Sequence, residues 1–290
     1  MKCWNALGKS AVIALALAFA CTIAFAQLTL KPEPLAVDSH TTLTSGSGAS
    51  FLKIIITSHG NIRYLESPAG RKHIYAEGYA LLAGAWPCAM GGTAYDFGYS
   101  EARWIGNPTI VQPNGKNTLP LTITRRAGYR SECGAQMNDP YRLELKQVFD
   151  RYSAEREVSV TMTVKNVGKT LANGVQLARW FDGDVDSATQ NLYYTTPDSV
   201  FAWRPVFNDP GLPGRGLSLT NLTPNFPVWA DPVRLGWKPD PDDYQPWDTG
   251  YGIRDDDKPI RGDHAGIITY NLGDIAVGAS KTVKVVYRRF

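Results

Sequence analysis

The sequence predicts an all-β protein, a large antiparallel β-sandwich, and three observations carry that expectation. Apolar and polar residues alternate with period two through most of the chain. Gly, Asn and Pro clusters punctuate the alternating runs. No segment after Gln27 carries a capped helical stripe.

Taken in order, the first element is a leader. Lys2 and Lys9 flank a short basic start, an apolar run follows from Ala11 to Phe25, and Ala24-Phe25-Ala26 supplies the small-x-small pattern that signal peptidase cuts. Residues 1–26 are therefore expected to be a signal peptide cleaved after Ala26, giving a secreted protein, extracellular or periplasmic. The apolar run is shorter than the roughly 20 residues of a membrane helix, and no later stretch approaches that length, so no transmembrane segment is expected. Residues 27–50, with Lys31-Pro32-Glu33-Pro34 and Thr44-Ser45-Gly46-Ser47-Gly48, read as an extended leader or tether.

Residues 51–290 read as a single β-sandwich domain, against the alternative of two small sandwiches. Gly60-Asn61 turns into a strand from Ile62 to Ser67. Leu119, Leu121 and Ile123 share a face, as do Tyr141, Leu143, Leu145 and Phe149. Val158, Val160, Met162 and Val164 point opposite to Ser159, Thr161, Thr163 and Lys165, the signature of a half-buried antiparallel strand. Asn166-Val167-Gly168 and Asn173-Gly174 then turn the chain, a Pro- and Trp-rich excursion spans 225–251, and strands resume at Ala265 and end with Val283, Val285 and Tyr287.

Composition narrows the function classes. The formal net charge is +3, and the leader holds two lysines and no acid, so the exported chain is nearly neutral. A nucleic-acid binder would show a basic patch or stripe, and none is expected here. Cys3 and Cys21 leave with the leader, and Cys88 and Cys133 remain. In an oxidising compartment the pair is read as a disulfide, worth about 4 kcal/mol for a loop of this length. The protein is expected to be a monomer.

The run VSVTMTVKNVGKTLANGVQLARWFDGD from Val158 to Asp184 and the ending YNLGDIAVGASKTVKVVY from Tyr270 to Tyr287 resemble the strand-turn-strand units of bacterial β-sandwich modules. The chain resembles the galactose mutarotase-like β-supersandwich proteins of bacterial secretomes and, less closely, immunoglobulin-like surface repeats. The first resemblance implies a fold common among carbohydrate-active proteins. Where that family places a catalytic histidine after the strand ending near Phe181, this chain has Asp182-Gly183-Asp184-Val185-Asp186, so epimerase chemistry is not carried over.

Two constellations carry candidate chemistry. If the strand stays extended past Phe181, Asp182, Asp184 and Asp186 fall on one face and their oxygens converge on one hard cation, with calcium the natural occupant. The competing reading is a solvated loop in which Asp favours turns. Trp229, Trp237, Tyr244, Trp247 and Tyr251, stiffened by Pro227, Pro232, Pro239, Pro241 and Pro246, read as a sugar platform or as rings packed under their own loop.

Paired carboxylates for a hydrolase or lyase are the alternative chemistry, with acids among Glu77, Asp96, Glu101 and Asp182. The histidines at 40, 59, 73 and 264 form no H-x-H or H-E-x-x-H pattern, and Arg261-Gly262-Asp263 is as readily a turn before the last strands as a recognition tripeptide. The leading expectation is a secreted non-catalytic sandwich that binds carbohydrate or a cell-surface partner. A carbohydrate-active enzyme and a structural surface protein without a small ligand stand beside it.

Overall fold

Seventeen strands are present in a computed structural model that describes residues 40–83, 86–93, 104–128, 141–151, 157–187, 190–204, 215–224, 228–233 and 259–290. They are β1 (His40–Ser45), β2 (Leu52–Thr57), β3 (Ile62–Glu66), β4 (Ala76–Ala83), β5 (Trp86–Thr93), β6 (Trp104–Val111), β7 (Leu121–Gly128), β8 (Tyr141–Arg151) and β9 (Glu157–Asn166). There follow β10 (Ala172–Asp182), β11 (Asn191–Thr196), β12 (Ser199–Arg204), β13 (Arg215–Asn221), β14 (Val228–Val233), β15 (Ile260–Gly262), β16 (Ala265–Ile275) and β17 (Ser280–Arg289). The described residues contain no α-helix, and none of their helices is long and apolar enough to cross a membrane. The signal-peptide reading of residues 1–26 lies outside the described residues.

All pairings among the described strands are antiparallel. A nine-stranded sheet runs β15-β11-β12-β13-β17-β9-β8-β7-β6, a five-stranded sheet runs β14-β16-β10-β4-β5, and β1-β2-β3 form a small third sheet. This is the large antiparallel β-sandwich expected from the sequence. Within the tether expected over 27–50, His40–Ser45 form β1, which pairs with β2 from His40↔Thr57 to Ser45↔Leu52; its β-branched threonines suit a ladder and Leu43 is buried.

The inner faces follow the period-two rows. Val158, Val160, Met162 and Val164 of β9 are each 0% exposed, as are Leu143, Leu145 and Phe149 of β8. Each such side chain contributes about 1.5–3 kcal/mol of burial free energy. Turn chemistry holds the rows in register: Asn166 Nδ2 donates to Thr170 O and Ile275 O, both at 2.8 Å, and Gly168 N donates to Asn166 Oδ1 at 3.0 Å. Phe181 of β10 meets Tyr287 of β17 edge to face with centroids 6.2 Å apart, so the five- and nine-stranded sheets pack directly on one another.

One polar group is built into that packing. Arg179 lies between Leu177 and Phe181 on the inward row of β10, and its guanidinium is 0% exposed. Its Nε is 2.6 Å from Glu77 Oε1, its Nη1 donates to Gln147 Oε1 at 2.6 Å and its Nη2 to Gly60 O at 3.3 Å. Glu77 in turn accepts from Tyr287 Oη at 2.6 Å and from Ile62 N at 2.6 Å. The network ties all three sheets together.

Candidate functional site

The end of β10 positions a group of charged side chains at one end of the sandwich. The β10–β16 register sets Asp182 opposite Ala265, which brings the turn after β15 alongside. Asp182, Asp184 and Asp263 each offer a carboxylate oxygen within 4.8 Å of the others. Asp184 is 8% exposed, Asp182 is half-buried and Asp263 is exposed. Asp182 Oδ1 is buried without a hydrogen-bond partner among the described residues.

Asp186 does not join them, and the reason is local. The strand stops at Asp182, Val185 N and Ser187 N donate to Gly183 O and Asp184 O at 2.9 Å, and Asp186 and Ser187 adopt φ of 55° and 60°. The extended backbone that would have aligned i, i+2 and i+4 ends before the third aspartate. Asp186 turns instead to Arg215, whose Nη1 is 3.2 Å from Oδ2, and to Arg71, whose Nε is 4.0 Å from Oδ1. Arg204 Nη1 donates to the Asp186 carbonyl at 3.4 Å.

The electrostatics follow from crowding and burial. Burial, then the neighbouring Asp184 and Asp263, pushes the Asp182 carboxyl up to about 8, with Lys72 opposing. Burial and Asp263 push Asp184 up to about 6. Beneath them Tyr193 Oη accepts from Gly183 N at 3.2 Å, Asn191 Nδ2 donates to Gly183 O at 2.7 Å, and His264 packs edge to face on Tyr193. His73 is buried with Nε2 2.5 Å from Ser67 O, and burial holds its pKa below the usual histidine value.

Three oxygens within 4.8 Å of one another fit inside one calcium coordination sphere, where oxygens about 2.3–2.6 Å from the ion lie at most about 5 Å apart. The carboxyl groups of a glycosidase pair stand about 5–5.5 Å apart when retaining and farther when inverting. Asp182, Asp184 and Asp263 are therefore the residues that could hold a metal.

Glu77 is among the acids the alternative enzyme reading named for a raised pKa, and burial pushes its carboxyl up to about 7 against the Arg179 guanidinium. It is 0% exposed and locked by Arg179, Tyr287 and Ile62, and no substrate reaches it between the closed sheets. Trp229 is a β14 residue opposite Thr269, whereas Trp237, Tyr244, Trp247 and Tyr251 lie outside the described residues. Cys88 is a β5 residue, and Cys133, Asp96 and Glu101 lie outside the described residues. Sequence reasoning missed Asp263 and the arginines at 71, 204 and 215; the Arg-Gly-Asp turn was the signal available for the first.

No family model and no curated protein matches the chain. Solved structures do resemble it. The chain is similar to an Escherichia coli K12 protein assigned as an aldose 1-epimerase, at 11% identity and TM-score 0.43, covering 87% of this chain and 99% of that one. It is similar to the galactose mutarotase related enzyme from Lactobacillus acidophilus, at 9% identity and TM-score 0.39, covering 87% and 97%. A polysaccharide lyase matches at 11% identity and TM-score 0.37, over 88% of this chain and 33% of the lyase. The first two carry names of the epimerase and mutarotase kind that the strand pattern resembles.

Proposed function

We propose that this protein is an exported, non-catalytic β-sandwich that binds carbohydrate or a glycan-bearing cell-surface partner and holds a calcium ion through Asp182, Asp184 and Asp263. The observation that carries this reading is the approach of three carboxylate oxygens within 4.8 Å of one another, beside a buried Asp182 Oδ1 without a hydrogen-bond partner among the described residues. Like charges at this spacing repel, and a divalent cation reverses the sign of the interaction. What supports a sugar ligand is the company of that group. Carboxylate acceptors and guanidinium donors stand together where hydroxyls can pair with both, and the sequence adds the aromatic, proline-stiffened stretch 225–251.

The test is thermal melting of the chain from Gln27 onward in calcium and in EDTA, across a panel of neutral and acidic glycans. The reading expects calcium to raise the melting temperature and one glycan class to give a saturable shift. A melt indifferent to calcium and to every glycan contradicts it.

A second reading is supported by one observation. Asp182 and Asp184 bring carboxylate oxygens within 4.8 Å of each other, and burial and crowding favour a retained proton on Asp182, the kind of donor a hydrolase or lyase uses. Turnover of a polysaccharide abolished by Asp182→Asn with binding retained would favour it over the non-catalytic reading.

A further inference from the structure

Arg71, Arg204 and Arg215 reach one point from three segments. Arg71 precedes β4, Arg204 closes β12 and Arg215 opens β13 directly opposite it in register. All three guanidinium heads address Asp186, at 4.0 Å, 3.4 Å and 3.2 Å. Three guanidiniums carry about fifteen N–H donors, and one carboxylate with one carbonyl accepts only a fraction of them. The side chains of Arg71 and Arg215 are 49% and 32% exposed, so both keep donors open to solvent.

We propose that these arginines are a subsite for the oxyanion of an acidic saccharide, either a uronate carboxylate or a sugar sulfate. This deepens the carbohydrate reading and rests on it. Planar guanidinium forks match such oxyanions in two-point contacts, which a lysine cluster does not. Asp186 restrains the forks before any ligand arrives, so less side-chain freedom is lost on binding. The left-handed turn at Asp186 and Ser187 fixes its carboxylate among them.

The charge is local: the whole chain carries only +3, which lacks the extended basic surface of a nucleic-acid binder. The acidic group lies in the same turn, two residues from Asp186, with Ser187 N donating to Asp184 O at 2.9 Å. A cation there adds positive charge beside the subsite, so acidic-sugar binding is stronger in calcium than in EDTA.

The experiment is a calorimetric titration, in calcium and in EDTA, of the exported chain with polygalacturonate oligomers, chondroitin sulfate oligomers and carboxyl-reduced polygalacturonate. The expected result is binding of one or both acidic ligands, which of the two identifying the oxyanion, and at least tenfold weaker binding of the reduced polymer. Arg71→Gln and Arg215→Gln should each weaken acidic binding about tenfold, and Arg71→Lys should restore part of it, because charge survives and the fork does not. Arg71 is half-exposed, so its variant decides the matter if Arg215→Gln melts early. Equal binding of the reduced polymer, unmoved by the arginine substitutions, overturns the subsite and leaves the carbohydrate reading standing. No binding of any glycan overturns both. Binding of inorganic phosphate, DNA or anionic phosphatidylserine vesicles as tight as that of the acidic oligomers overturns the saccharide assignment.

Discussion

Arg179 Nε lies 2.6 Å from Glu77 Oε1 between the two large sheets, with neither side chain exposed to solvent. Tyr287 completes the group by donating to the same Glu77 oxygen, and Arg179 sits 5.4 Å, 5.7 Å and 5.9 Å from the ring centroids of Phe149, Tyr287 and Tyr79. A buried pair so placed specifies how the sheets meet, and its stability is best judged against an apolar replacement.

Removing one partner strands the other charge in the core. Arg179→Met is expected to cost about 3–5 kcal/mol in urea unfolding, whereas the double variant Glu77→Leu with Arg179→Met costs less than the single one. Additive losses in the double-variant cycle would show that the two side chains do not act as a pair.

Stability without calcium should fall as pH rises. Burial raises the folded-state pKa of Asp182 to about 8 and of Asp184 to about 6, both above the ordinary 3.8. A raised folded value means stability fully present below about pH 4 and lost as pH climbs through 6 and then 8. In EDTA the melting temperature is expected to fall between about pH 5 and pH 8.5 as these two carboxyl groups are forced to ionise in the fold. Calcium should remove most of that slope, and an identical slope with and without calcium would count against the cation site.

Gly266 of β16 packs against Val200 of β12 and Phe181 of β10. A Cβ there would stand 2.7 Å from Val200 Cγ2 and 2.8 Å from Phe181 Cε1, closer than packed carbons allow. Gly266→Val is expected to destabilise the fold by about 1–3 kcal/mol through overpacking. A melt unchanged from wild type would show that the sheets can part there without cost.

Much of this fold was legible in the sequence, because period-two rows such as Val158 to Val164 and Val283 to Tyr287 are buried as the alternation requires. Arg179 broke one such row between Leu177 and Phe181, and that interruption was its only sign; its partner Glu77 stands far earlier in the chain and meets it only through the β10–β4 register. The aspartates at 182 and 184 were legible as a cluster. Asp186 was misplaced because the left-handed turn that redirects it leaves no alternation to read, and Asp263 was hidden because strand pairing, not sequence spacing, sets it beside Asp184. The arginines escaped notice for the same reason, being scattered in sequence and gathered by β12, β13 and the segment before β4.

Calcium titration of EDTA-stripped protein by calorimetry tests the central claim most directly, with Asp263→Asn and Asp186→Asn run beside the wild type. The account predicts one saturable site whose affinity falls at least tenfold in Asp263→Asn and changes little in Asp186→Asn. No saturable heat in the wild type, or equal affinity in Asp263→Asn, would contradict it.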